Sequence, residues 1–279
     1  LIEADDGDVR MAGLQLSQQP DQLKAMRSKV QMVFQDSYAS LNPRMSIEAS
    51  IMFGPVVHGV PRDEARHTAH DLLARVGLEP ARFAGRYPHE VSGGQRQRVN
   101  IARALALKPE IVIFDEAVSA LDKSVEIQVL NLLQDLKAEF KLTYLFISHD
   151  LNVVQYISDQ VLVMYLGKIV EIGPVQDVYE RPAHPYTRAL LASMPSMDPW
   201  RRTQAPPIVG DPPSPIDPPS GCRFRTRCQF TAQACAASEP LLQTADASSS
   251  IDHRAACHML AATAGTWQPL IADGTEGAA

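Results

Sequence analysis

Residues 91–122, VSGGQRQRVNIARALALKPEIVIFDEAVSALD, constrain the fold of this chain more than any other stretch. The segment opens with Ser92-Gly93-Gly94-Gln95. Two glycines let the backbone approach a ligand closely, and a helix start offers free N–H groups and partial positive charge. The helix that follows places Ile101 over Leu105 and Ala102 over Ala106, with Lys108 near its end and Pro109 as the stop. The apolar run 111–114 has the β-branched character of a buried parallel strand, and it ends in Asp115-Glu116. Carboxylates at the C-terminal end of such a strand face the crevice where α/β sheets bind ligands. The turn Ser119-Ala120-Leu121-Asp122 closes the segment. An anion-binding helix start beside a strand-end acidic pair suits a magnesium nucleotide.

The totals bound the rest. A chain of 279 residues has room for one large or two ordinary domains. Its formal net charge of −6 provides no general basic surface for nucleic acid. No apolar run approaches the roughly 18 residues needed to span a bilayer. The first ten residues, LIEADDGDVR, are acidic and lack the apolar core of a signal peptide. All four cysteines lie after position 220; without a secretion signal, metal binding gains weight over disulfides.

Along the chain, residues 5–8 read as a turn. Residues 30–34 predict a strand that ends at Gln35. Residues 61–77 predict an amphipathic helix with Ala65, Ala69, Leu72, Leu73 and Val76 on one face and Gly77 as its cap. His67 and His70 read as solvated residues of that helix. A second amphipathic helix is expected over 124–140, with Val125, Val129, Leu132, Leu136 and Phe140 inward. Residues 143–147 predict another buried strand, followed by Ser148-His149-Asp150, and residues 161–172 a hairpin around Leu166-Gly167. Prolines crowd residues 195–219, which read as an extended linker, and the last stretch as a frayed tail.

SGGQ, an apolar strand ending in Asp-Glu, SALD and a later histidine, in this order, resemble the ATPase subunit of an ABC transporter. The resemblance implies an α/β, P-loop NTPase-like ABC ATPase core, with a helical subdomain at about 38–100 that docks on a permease. A further likeness narrows the branch: SLNPRMSI (40–47), HPYTRALL (184–191) and PPSGCRFRTRC (218–228) resemble the oligopeptide and dipeptide importers. The expected organisation is an ATPase domain over 1–180 and an importer-type extension over 181–279. Val91 and Ala117-Val118 stand where the family often has Leu and Pro-Thr.

The resemblance carries roles residue by residue. Glu116 would polarise the attacking water, and His149 would steady the γ-phosphate. Gln35 would touch Mg²⁺ or the water and sense the permease. Asp115 would hold Mg²⁺ through water, and Asp122 would connect two sites. Ser92, Gly93 and Gly94 would grip the γ-phosphate of ATP held by a second ATPase subunit, with Gln95 ordering that contact. Implied partners are this second subunit, transmembrane permease subunits and, indirectly, an extracytoplasmic substrate-binding protein. The implied location is the cytoplasmic face of the membrane.

Cys222, Cys228, Cys235 and Cys257 are spaced poorly for a zinc ribbon. Some members of the resembled family carry a [4Fe–4S] cluster in this extension; another metal or four inert thiols are the alternatives. No GxxxxGK[ST] phosphate loop occurs anywhere in the sequence. The resemblance therefore implies an N-terminally truncated subunit with negligible ATPase activity by itself. A nickel or small-solute importer, or a module that only donates its SGGQ face, are the other expectations for function.

Overall fold

The computed structural model describes residues 6–15, 19–194, 208, 210–245 and 252–260. They fall into two compact units, Leu1–Asp150 and Leu151–Ala279.

The first unit begins with a two-stranded antiparallel ribbon, β1 (Arg10–Met11) and β2 (Leu14–Gln15), which the sequence pattern did not announce. Helix α1 (Pro20–Lys29) leads into β3 (Val30–Val33). Three helices follow, α2 (Ile47–Val57), α3 (Arg62–Arg75) and the short α4 (Pro80–Phe83). The expected inward face of α3 is buried in full, and Gly77, at φ 74°, ends it. The Leu78 N–H reaches back to Leu73 O at 2.8 Å, a bond that only the left-handed glycine allows. His67 is exposed as expected, but His70 is half-buried, with Nε2 2.6 Å from Glu48 Oε2. The pair ties α3 to the first turn of α2.

Helix α5 (Gly93–Leu105) leads to β4 (Ile111–Asp115), α6 (Lys123–Phe140) and β5 (Thr143–Ile147). Strands β3, β4 and β5 form one parallel sheet in that order, Val30 beside Ile111 and Ile111 beside Thr143. Phe114 sits at its centre, 1% exposed, edge-on to Tyr144 with ring centroids 4.9 Å apart.

Two expectations are corrected here. The buried face of α6 is Glu126, Val129, Leu130, Leu133 and Leu136, rotated from the predicted stripe. Phe140 lies outside it because its ring carries the Arg75 guanidinium, 5.2 Å from the centroid. Strand β5 is not buried throughout: Leu145 and Ile147 are nearly half exposed, because β5 pairs only with β4 among the described residues.

In the second unit, α7 (Leu151–Ile157) precedes a hairpin of β6 (Gln160–Tyr165) and β7 (Lys168–Pro174). Its turn is Leu166-Gly167, with φ of 46° and 78°; two left-handed residues match the twist of the strands. Helices α8 (Val175–Glu180), α9 (Pro185–Ala192) and α10 (Gln233–Ala237) follow, then β8 (Gln243–Thr244) and β9 (Arg254–Ala255). Strand β9 pairs with β7, so the C-terminal segment extends the hairpin sheet in the order β6-β7-β9-β8.

A buried polar clip locks that junction. Glu171, 0% exposed, accepts from the N–H groups of Ala183 (2.8 Å) and His184 (2.9 Å) and lies 2.8 Å from His253 Nε2. Gly173 leaves room for this approach: a Cβ there would lie 2.8 Å from His253 Cδ2 and 3.1 Å from its Cα. Tyr165, Tyr186 and Phe224 pack beside it, with Phe224 5.2 Å from Tyr165 and 5.4 Å from Tyr186. Residues 211–219 form neither helix nor strand; residues 195–207 and 209 of the expected linker, and the expected tail, lie outside the described residues.

Candidate active site

Three strand ends bring the site together. Gln35 lies two residues beyond β3, Glu116 follows β4 directly, and His149 lies two residues beyond β5. Glu116 adopts φ 47°, a left-handed conformation that costs a non-glycine residue about 1 kcal/mol or more. Its N–H donates to Ile147 O at 3.0 Å, which couples the ends of β4 and β5 and holds the residue in that conformation. The carboxylate is thereby aimed between its neighbours. Gln35 Nε2 donates to Glu116 Oε2 at 2.9 Å, and His149 Nδ1 lies 3.1 Å from Glu116 Oε1. Glu116 is half-buried while His149 is largely exposed, so the histidine can turn toward a ligand without leaving the site.

Ser119 completes the cluster, a residue of the closing turn with no site role assigned from sequence. Its hydroxyl donates to Glu116 O at 2.9 Å and lies 3.4 Å from Gln35 Nε2. The legible signal is a hydroxyl three residues after the left-handed Glu116. Asp115 ends β4 opposite Ile147 and is half-buried, and it makes no ion pair among the described residues. Its carboxylate is therefore available to a hydrated divalent cation.

The Ser92 turn is built separately, at the start of α5. Ser92 Oγ accepts from the Gln95 N–H at 3.3 Å, and the Ser92 N–H donates to Gln95 Oε1 at 3.0 Å. This capping box leaves the Gly93 and Gly94 N–H groups as the open donors of the first turn, available to an anion. The two glycines differ. A Cβ on Gly94 would lie 2.4 Å from Val125 Cγ1, so Gly94 is needed for α5 to approach α6. Among the described residues a Cβ on Gly93 would meet only Arg96 Nη2, at 3.9 Å, so none of them demands glycine there.

Asp122 caps α6: Oδ1 accepts from the Val125 N–H at 3.0 Å and from Ser124 Oγ at 2.7 Å. The Ser124 and Val125 bonds hold its carboxyl below the usual range. Lys123 beside it bonds Asp150 (2.7 Å) and Glu126 (2.9 Å), tying the start of α6 to the segment after His149. The structure thus joins Gln35, Glu116 and His149 in one cluster. Ser92, Gly93, Gly94 and Gln95 form a second surface that meets α6 through Val125, directly after Asp122.

The four cysteines gather in the second unit. Burial pushes the Cys228 thiol up to about 11, and Cys257, Cys222 and Cys235 push in the same direction. Burial likewise raises Cys222 and Cys257. Their charges interact, and the Cys222 N–H donates to Cys235 O at 2.8 Å. Among the described residues, however, no three His, Cys, Asp or Glu side chains are arranged to hold a metal ion. Cys235 and Cys257 are buried, and Cys222 and Cys228 are partly buried.

Comparison with known proteins agrees with this geometry. The ABC transporter family matches residues 1–119, and the C-terminal region of oligopeptide/dipeptide transporters matches residues 170–235. The oligopeptide transport ATP-binding protein OppF of Escherichia coli K12 is 49% identical over 249 residues, 87% of this chain and 74% of that protein. The oligopeptide transport ATP-binding protein AppF of Bacillus subtilis 168 is 47% identical over 264 residues, 93% and 79% of the two chains. Among solved structures, cbiO1 of Clostridium perfringens, part of the ABC transporter complex cbiONQ, superposes with a TM-score of 0.59 at 26% identity. The match covers 65% of this chain and 71% of cbiO1. The chain belongs to the ATP-binding subunits of ABC transporters, in their oligopeptide/dipeptide branch, and has the P-loop NTPase-like fold of that family.

Proposed function

We propose that this ABC-type ATPase energises import of di- or oligopeptides across the cytoplasmic membrane. The supporting observation is the pairing, in one chain, of the Gln35–Glu116–His149 cluster with the importer-type C-terminal segment. The proposal places the chain peripherally, at the cytoplasmic face, on transmembrane permease subunits, as the importer-type C-terminal segment supports; among the described residues no helix is long and apolar enough to cross a membrane. A second ATPase subunit and, indirectly, an extracytoplasmic substrate-binding protein complete the assembly.

In this reading Glu116 accepts a hydrogen bond from the attacking water and polarises it toward the γ-phosphate of ATP. Gln35 fixes the carboxylate and the water, and His149 donates to the phosphate as negative charge develops. Asp115 would hold Mg²⁺ through water, and the ion would neutralise charge on the phosphates. The open N–H groups of Gly93 and Gly94, with Ser92 and Gln95, bind the γ-phosphate of a nucleotide seated on the second subunit, and Asp122 communicates between the sites. The positioned donors and carboxylate act in a site from which closure excludes water. The organisation proposed is an ATPase domain over residues 1–180 and an extension over 181–279.

For the four cysteines, their grouping is the one support for a [4Fe–4S] cluster. Iron and sulfide analysis with the visible spectrum of anaerobically purified protein tests it. Four titratable thiols and no iron would discard the cluster.

The import function is tested with the assembled transporter in proteoliposomes. Radiolabelled peptide should accumulate only with ATP inside the compartment that exposes the ATPase, and Ni²⁺ or amino acids should not compete. Accumulation of Ni²⁺ instead of peptide would replace the peptide reading with a small-solute one.

A further inference from the structure

Helix α5 carries the Ser92 turn at its N-terminus and a row of polar side chains on one face, Arg96, Asn100 and Arg103, spaced by four and three residues. All three engage the loop behind Gln35. Asn100 Nδ2 donates to Ser37 O at 3.0 Å, and Arg103 Nη1 donates to Ser40 O. The Arg96 guanidinium lies over the Tyr38 ring, 5.5 Å from its centroid, while its Nη1 donates to Val91 O at 2.6 Å. Asn100 is 1% exposed, and its Oδ1 has no hydrogen-bond partner among the described residues. A buried amide with half its capacity unmet is a cost to folding. The bond to Ser37 is what the side chain contributes in return.

The loop it holds is stiff. Asp36 Oδ1 accepts from the N–H groups of Tyr38 and Ala39, both at 2.9 Å. Asp36 O accepts from Ser40 Oγ at 2.6 Å and from the Ser40 N–H at 3.2 Å. Residues 36–40 therefore move as one body, and the carbonyls of Ser37 and Ser40 are its handles. Gln35 is exposed, and among the described residues its side chain makes polar contacts to Glu116 and Ser119 only. Its side chain is placed by its backbone, not by packing around it.

We propose that Asn100 and Arg103 are positioning residues for ATP hydrolysis: they anchor the 36–40 turn on α5 so that the Gln35 amide stays on Glu116. The inference rests on the reading of Gln35 and Glu116 as hydrolysis residues given above. It makes α5 a strut with the Ser92 turn at one end and the Gln35 loop along its side. A displacement of about 1 Å at a reacting centre lowers rates by up to roughly 100-fold.

The test is steady-state ATPase kinetics of the full transporter. Asn100→Ala, Arg103→Met and Arg103→Lys are made alone and together with Gln35→Ala, and each is checked for melting temperature. Asn100→Ala and Arg103→Met are expected to lower kcat about tenfold with KM within about twofold. Arg103→Lys keeps a cationic donor for Ser40 O and should retain most of the rate. In the Gln35→Ala background each further substitution should cost less than about twofold, because the group it positions is already gone. Losses that multiply in that background, or a raised KM with kcat intact, would overturn the inference while leaving the site reading in place. Gln35→Ala turning over at the wild-type rate would overturn both. Where Asn100→Ala does not assemble, the Arg103 series carries the same comparison.

Discussion

Replacing Gly94 by alanine isolates what the second glycine of the Ser92 turn does. The new Cβ would lie 2.4 Å from Val125 Cγ1 and 3.7 Å from Val125 Cβ. An ordinary carbon contact needs about 3.4 Å or more, so α5 and α6 must part by about 1 Å or Val125 must leave its rotamer. Such overpacking costs about 1–3 kcal/mol. The gain from replacing a helical glycine is at most about 1 kcal/mol. The net expectation is a loss of about 1–2 kcal/mol, or roughly 2–8 °C in melting temperature for a unit of this size. Val125→Ala removes the clashing atoms, so the double variant should melt above Gly94→Ala alone, with a coupling of about 1 kcal/mol or more. Gly93→Ala meets only an arginine tip at 3.9 Å and should stay within about 0.5 kcal/mol of wild type. In the proposed reading the same substitution should still suppress ATP hydrolysis in the assembled transporter, because its methyl group would occupy the face offered to the partner's nucleotide. Calorimetric melts of the wild type, Gly94→Ala, Val125→Ala, the double variant and Gly93→Ala decide the matter. Gly94→Ala melting at or above wild type, or strict additivity with Val125→Ala, would refute the packing argument.

Three further outcomes follow from the second unit. Burial lowers the His184 pKa to about 4, against an ordinary value near 6.5, with Glu171 opposing the shift. Between these values the unfolded chain binds more protons than the folded one, so stability rises with pH. The contribution of roughly 3 kcal/mol is complete above about pH 6.5 and lost as pH falls toward 4. His184→Asn keeps an acceptor for the Tyr186 N–H, which His184 Nδ1 now receives at 3.0 Å, and should flatten that acid limb in denaturant titrations. Glu171→Gln sets an amide NH₂ against one of the two backbone donors and removes the carboxylate charge that faces His253; it should cost roughly 3 kcal/mol and open residues 252–260 to limited proteolysis. Gly173→Ala should do the same through the clash with His253, by about 1–3 kcal/mol in chemical denaturation.

Much of the catalytic unit was legible from local signals. The capping box at Ser92 and Gln95, the apolar runs at 111–114 and 143–147 and the polar residues just beyond them place α5, β4, β5 and the site without tertiary information. The hairpin turn at Leu166-Gly167 was equally plain. What escaped depends on partners distant in sequence. The face of α6 rotates because its packing, not its heptad-like spacing, decides what is buried, and Phe140 finds an arginine instead of the core. Glu171, in KIVEIG, has the look of a solvent-facing strand residue, but β9 and the 183–184 backbone close over it. A two-residue strand such as β9 has no periodicity to detect. Asn100 and Arg103 read as ordinary polar helix positions until the loop they hold is folded against them. The placement of four thiols around one centre is likewise spatial and is not specified by residue spacing; among the described residues no group of three metal ligands forms.

The account turns on Glu116, the carboxylate held by Gln35 and His149 at the end of β4. The most direct measurement is single-turnover ATP hydrolysis by the assembled transporter bearing Glu116→Gln, with ATP binding followed in the same preparation. Glutamine preserves the size of the side chain and the hydrogen-bonding frame but cannot accept the proton of the attacking water. Binding should survive while the hydrolysis rate falls by about 100-fold or more. Hydrolysis and peptide uptake continuing at wild-type rates would contradict the account.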